Sequence, residues 1–182
     1  ANLMDEGSYR ESIEGCSIVI HVASPFVMDV PKGTEKERLL DPAVNGTLSV
    51  MKSALEVPTV KRFVLTSSMF SLATDGTDTQ EVFKKTGKMC NEESWNTSAS
   101  VDYNPYAYSK FLAEKAAWKF MEDNKSTCKY ELVACLPSFV MGPGLKVAGS
   151  STSYGFMKSF GDGTFKDGVI KACTPLVDVR DV

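Results

Sequence analysis

Histidine is almost missing from this chain: His21 is the single one among 182 residues. The five cysteines, Cys16, Cys90, Cys128, Cys135 and Cys173, contain no C-x-x-C pair, so no zinc set can be assembled. An odd, unpaired set of that kind predicts buried free thiols in a reducing compartment. No signal peptide is visible, and a cytoplasmic protein is expected. No Lys/Arg cluster forms a stripe and the net charge is −3, which disfavours nucleic acid and membrane surfaces as partners. No apolar run approaches a membrane span. Neither G-x-x-G-x-x-G nor G-x-G-x-x-G occurs, so no glycine-rich phosphate cradle can be placed. Internal repeats and low-complexity tracts are also lacking. What remains is ordinary for a globular domain: 43% apolar and 24% charged residues, in a chain long enough for a real core.

The apolar residues fall in two kinds of pattern. Continuous runs at 17–23, 62–66 and 130–136, and a shorter one at 176–179, predict buried parallel strands. Helical spacing predicts helices over 35–56, over 105–124 with Pro105 at the start, and over 153–160. Residues 71–104 are polar and predict one long loop. Strands alternating with helices imply an α/β fold with a Rossmann-like parallel sheet and flanking helices. Ligands bind beyond the C-terminal strand ends of such sheets. Three of those ends carry Ala23-Ser24, Ser67-Ser68 and Pro137-Ser138.

The chemistry-bearing residues are Ser68, Tyr106 and Lys110. Positions 106 and 110 lie one helical turn apart on one face. A phenol titrates near 10, and a nearby ammonium favours its ionised form. Lowering it by about 3 units needs roughly 4 kcal/mol, which Lys110 and a cationic nicotinamide can supply in a dry crevice. Ser68 would then hold a carbonyl oxygen while Tyr106 gives it a proton, or takes one in reverse. Read alone, Tyr-x-x-x-Lys is most often an ordinary surface pair, and Ser67-Ser68 could merely end a strand or cap a helix. Tyr108 has Leu112 as its fourth neighbour and cannot form the pair.

Seven stretches together resemble one family: GCSIVIHVASP, DPAVNGTLSVMKSA, VKRFVLTSS, EESW, YAYSKFLAEKAAWKF, LPSFVMGP and VDVRDV. It is the extended short-chain dehydrogenases/reductases, in the branch of dihydroflavonol 4-reductase, cinnamoyl-CoA reductase and yeast-type methylglyoxal reductases. The resemblance implies catalytic roles for Ser68, Tyr106 and Lys110, with Tyr106 and Lys110 also at the cofactor. It implies cofactor contacts for Asn2 and Leu3 at the adenine, and for Val22, Ala23 and Ser24 along the dinucleotide. Pro137, Ser138, Phe139 and Val140 would meet the nicotinamide amide, and Ser153 would lie near the phosphates. Asn45 would bond backbone across the sheet. NADP is implied as cofactor, with NAD as the alternative.

Set against the family's pattern, the chain reads as an internal fragment, 1–182 being a partial cofactor-binding domain without its first βαβ, glycine-rich part. Residues 144–182 would begin the substrate-binding region. Weak cofactor binding and little activity are expected of such a piece. The expected full-length function is NAD(P)H-dependent reduction of a ketone or aldehyde, by a monomer or homodimer acting on a small-molecule carbonyl substrate. The alternatives are a 3β-hydroxysteroid dehydrogenase, a sugar-nucleotide epimerase/dehydratase, or a non-catalytic dinucleotide-binding protein. Met69-Phe70-Ser71-Leu72-Ala73, apolar and without the Tyr-Gly of sugar-nucleotide relatives, disfavours a sugar diphosphate. Asp178 stands where many plant relatives carry His, which disfavours a flavonoid. The substrate pocket is expected to draw on 71–104, Phe26 and 144–176.

Overall fold

The computed structural model describes residues 1–25, 30–144, 152–169 and 174–182. The chain divides into two compact units, Ala1–Leu136 and Pro137–Val182.

In the first unit a short helix α1 (Arg10–Ile13) precedes β1 (Ile18–His21). Helix α2 (Asp41–Leu55) leads to β2 (Arg62–Thr66), and α4 (Pro105–Asp123) leads to β3 (Glu131–Cys135), with α3 (Gly76–Thr86) between them. The three strands pair in the order β1-β2-β3, all parallel, with Ile18 opposite Arg62 and Arg62 opposite Glu131. This is the expected α/β, Rossmann-like arrangement. Alternate strand residues point to opposite faces. Phe63, Leu65 and Leu132 therefore meet Val50, Met51 and Ala54 of α2 and Ala117 of α4 in one core, with Tyr130 closing it through a hydrogen bond from its hydroxyl to the Met51 carbonyl.

The structure corrects the sequence reading in four places. The strands are buried on one face only: Ile18, Ile20 and Val133 of the opposite face are 54, 65 and 39% exposed. Continuous apolar runs predict helices on both faces, whereas α2 and α4 pack on the same one. Residues 71–104 are not one loop, because they hold α3, whose first turn is capped by the Asp75 carboxylate accepting from the Thr77 amide at 2.7 Å and whose end is the left-handed Gly87. The helix expected over 35–56 begins as a π-helical turn, Lys36–Leu40, because Pro42 has no N–H to bond the carbonyl four residues back. Finally, Cys135 is exposed and Cys16, Cys90 and Cys128 are half-buried, so the four described thiols are free but not core residues.

Helix α4 sets the position of Tyr106 and Lys110. Asn104, at φ 54°, turns the chain and its side-chain oxygen accepts from the Ala107 amide at 3.0 Å. Pro105 follows at the first helical position, where a missing N–H costs nothing. Ser67 follows strand β2 and its amide donates to the Cys135 carbonyl at 2.8 Å, and Ser68 caps a 3₁₀ turn over Met69–Ser71.

In the second unit β4 (Phe139–Met141) pairs in parallel with β5 (Leu176–Asp178), and α5 (Thr152–Ser159) lies in the same unit. Strand β4 was not expected from sequence; at three residues it is too short to show a period. Gly142 is required there. Its φ is 139°, and a Cβ would sit 2.7 Å from Val179 Cγ1. No described helix is long and apolar enough to cross a membrane.

Candidate active site

One face of α4 carries Tyr106, Lys110 and Glu114 at successive turns, and all three are buried, at 8, 8 and 3% exposure. Phe70, two residues beyond Ser68, meets the Tyr106 ring edge-on at 5.9 Å between centroids. That contact ties the serine turn to the helix of the phenol. The Lys110 ammonium lies 5.7 Å from the Tyr106 ring centre. A small pocket joins Lys110 and Glu114 to His21, Ala23, Ser24, Thr47 and Ser67.

The two serines are held differently. Ser67 Oγ donates to the Glu114 carboxylate. Ser68 Oγ accepts from the Phe70 amide at 3.2 Å, an interaction that does not use its own proton. The hydroxyl with a proton to offer is thus that of Ser68, and both serines are mostly buried.

Burial dominates the electrostatics. It raises Tyr106 to about 12 and lowers Lys110 to about 8. Without a cationic nicotinamide beside it, the phenol is thus governed by its burial. A protonated Tyr106 at neutral pH is suited to donate a proton rather than to accept one. His21 falls to about 4, through burial first and the Lys110 charge second, and so is neutral. Its Nε2 lies 3.5 Å from Thr47 Oγ1.

Lys110 forms no ion pair among the described residues, and the nearby Glu114 carboxylate is taken up by Ser67, Ser71 and Trp118. A buried ammonium sharing its pocket with Ala23 and Ser24 fits the hydroxyls of a ribose. The remaining sequence-selected residues lie elsewhere. Val22 is 64% exposed. Asn2 spends its side-chain oxygen on the Met4 amide at 3.1 Å, and Leu3 packs on the core against Gly46. Asn45 is exposed on α2 rather than bonded across the sheet. In the second unit, Val140 and Ser153 line a cavity of about 270 Å³ with Met141, Tyr154 and Met157. Pro137, Ser138 and Phe139 lead into and begin β4, half-buried. Phe26, and 145–151 and 170–173 of the expected substrate region, lie outside the described residues.

Sequence reasoning passed over Glu114, Ser71, His21 and Thr47. The signal for Glu114 was present: it continues the 106, 110 spacing by one more turn.

Comparison with known proteins places these features. A family model for NAD binding, described as male sterility protein, matches residues 3–175. A cinnamoyl-CoA reductase of Medicago truncatula is 40% identical over 146 residues, 79% of this chain and 41% of that relative. The NADPH-dependent methylglyoxal reductase of Saccharomyces cerevisiae is 42% identical over 137 residues, 69% of this chain and 37% of that relative. The chain thus spans less than half the length of these curated relatives. The crystal structure of the yeast methylglyoxal/isovaleraldehyde reductase complexed with NADPH superposes with a TM-score of 0.82 at 31% identity, covering 99% of this chain and 55% of that one.

Proposed function

The chain belongs to the NAD-binding, extended short-chain dehydrogenase/reductase family, and from that premise we propose that it supplies the catalytic residues of an NADP(H)-dependent reductase converting a ketone or aldehyde to an alcohol. The observation that carries the reading is the buried pair on α4: a phenol kept protonated by burial, with the Lys110 ammonium beside its ring. Lys110 would hold the cofactor ribose and Val22, Ala23 and Ser24 would run along the dinucleotide, and NADP is preferred over NAD because the relatives above 30% identity that name a cofactor name NADPH. Asn2, Leu3, Pro137, Ser138, Phe139, Val140 and Ser153 keep their assignment as cofactor-binding residues, and residues 144–182 as the start of the substrate-binding region.

When bound, the nicotinamide supplies the hydride that reaches the carbonyl carbon. The chain's own residues manage the oxygen. Ser68 donates a hydrogen bond to it and stabilises the negative charge that develops there. Tyr106 transfers its phenolic proton to that oxygen, so the carbonyl has gained hydride and proton and become an alcohol. The phenolate left behind faces Lys110, whose charge offsets it until a proton returns from solvent. The apolar Met69, Phe70 and Leu72 after Ser68 suit a substrate with an apolar or aromatic body.

NADPH oxidation by the protein carrying these residues, against a panel of aldehydes and ketones, tests the assignment. Tyr106→Phe is expected to lower turnover by at least about a hundredfold, in the range of removing a general acid. Unchanged turnover in that variant ends the assignment. The 182 residues alone, with no glycine cradle for the pyrophosphate, are expected to bind NADPH weakly, and micromolar affinity by calorimetry contradicts this.

A further inference from the structure

We propose that Glu114 is a positioning residue that sets where the Ser68 hydroxyl stands, by tying down the serines on either side of it. The inference rests on the reading of Ser68 as the donor to the substrate oxygen. Glu114 Oε2 accepts from Ser67 Oγ, one residue before Ser68, and from Ser71 Oγ, three residues after it, at 2.6 Å. Oε1 accepts from Trp118 Nε1 at 3.3 Å. Ser71 Oγ also lies 2.8 Å from the Ser68 carbonyl, and the Ser71 amide donates to that carbonyl at 2.9 Å. The 3₁₀ turn that carries Ser68 is therefore anchored at both ends to one carboxylate, and that carboxylate stands on the helix of Tyr106 and Lys110.

A structural role alone does not account for the choice of group. The position faces inward at 3% exposure, where a leucine or alanine would pack without desolvating a charge. A carboxylate offers what they cannot: one oxygen that accepts two hydroxyls at once and so fixes the distance between the two ends of the turn. The shared helix then makes the spacing from Ser68 to Tyr106 a property of a rigid element instead of a loop.

The test has two arms. In the active protein, Glu114→Ala is expected to lower kcat by about 10- to 100-fold, of the order of losing or misplacing one oxyanion donor, with KM for NADPH unchanged. Glu114→Gln, which keeps an oxygen for both hydroxyls, is expected to recover most of that loss. In a Ser68→Ala background, Glu114→Ala is expected to cost little more, because the group it positions is already gone. Full additivity of the two losses, or a Gln variant as poor as Ala, overturns the proposal. If Glu114→Ala does not fold, Ser71→Ala, which removes one tie, takes its place with the same expectations. The second arm needs no turnover. In the 182-residue chain, amide exchange at Phe70 and Ser71 should quicken at least about tenfold in Glu114→Ala, while the β2 amides of Phe63 and Leu65 stay protected. Unchanged exchange at Phe70 and Ser71 overturns the clamp. Unaffected turnover in Ser68→Ala and Tyr106→Phe, with that exchange quickened, overturns the reductase reading instead.

Discussion

At the scale of single residues the site is governed by desolvation. Lys110 and Tyr106 move in opposite directions, and both moves favour the neutral form. The consequence for stability can be given a sign. Folded Lys110 titrates near 8, below the ordinary lysine value of 10.5, so between these limits the unfolded chain binds the extra proton. Stability therefore rises with pH from about 8 toward 10, with a slope of up to about 1.4 kcal/mol per pH unit from this group. Tyr106 acts oppositely but only above 10, where the unfolded phenol ionises first. Urea midpoints between pH 7.5 and 9.5 should climb in the parent chain and stay flat in Lys110→Met. A parallel climb in both would mean that the ammonium is not desolvated in the fold.

At the scale of elements, legibility followed the strength of the local pattern. The helix expected over 105–124 is Pro105–Asp123, and the strand at 62–66 is Arg62–Thr66, because each carries both a period and a boundary signal. Helix α3 was missed although its boundary signals were there: Asp75 before it, Lys84 and Lys85 in its last turn and Gly87 after it. Its apolar side is only Val82 and Phe83, too little for a stripe, and Asp75-Gly76 reads as a turn when nothing periodic follows. What orders this region is tertiary and leaves no period. Asn96, 4% exposed, donates to the Phe70 carbonyl at 2.8 Å and to Thr74 Oγ1, and accepts from the amides of Ser98 and Ala99. Removing it in Asn96→Ala takes a partner from four groups, three of them at part-buried contacts, and should cost about 1–2 kcal/mol in chemical denaturation. A cost below about 0.5 kcal/mol, the scale of a surface change, would show that water replaces the side chain. The α4 cap is the companion case. Asn104→Ala loses the bond to the Ala107 amide and keeps the left-handed φ, so a loss of about 1–2 kcal/mol is expected, with Asn104→Gly milder because glycine accepts that φ freely.

At the scale of the whole molecule, the residues proposed as catalytic stand out in the sequence because two of them share one helix, where spacing in sequence is spacing in space. The proposed cofactor contacts come from resemblance alone. They fall on short segments such as Pro137–Val140, where the chain enters the three-residue strand β4, and no physical period marks them. The sheet of the first unit also shows what sequence alone could not: one of its faces is exposed. Ile18, Ile20, Val22 and Val133 stand there at 54, 65, 64 and 39% exposure, and β1 lies at the edge of the sheet formed by the described strands. Contiguous exposed apolar surface beside an open edge drives association. The 182-residue chain is therefore expected to self-associate with rising concentration in sedimentation velocity. Ile20→Thr keeps a β-branched side chain in the strand while removing the most exposed apolar contact of β1, so it should weaken association and leave the urea midpoint of the chain nearly unchanged. Equal association in parent and variant would place the sticky surface elsewhere. A lowered midpoint would show that Ile20 packs against a neighbour its exposure does not reveal.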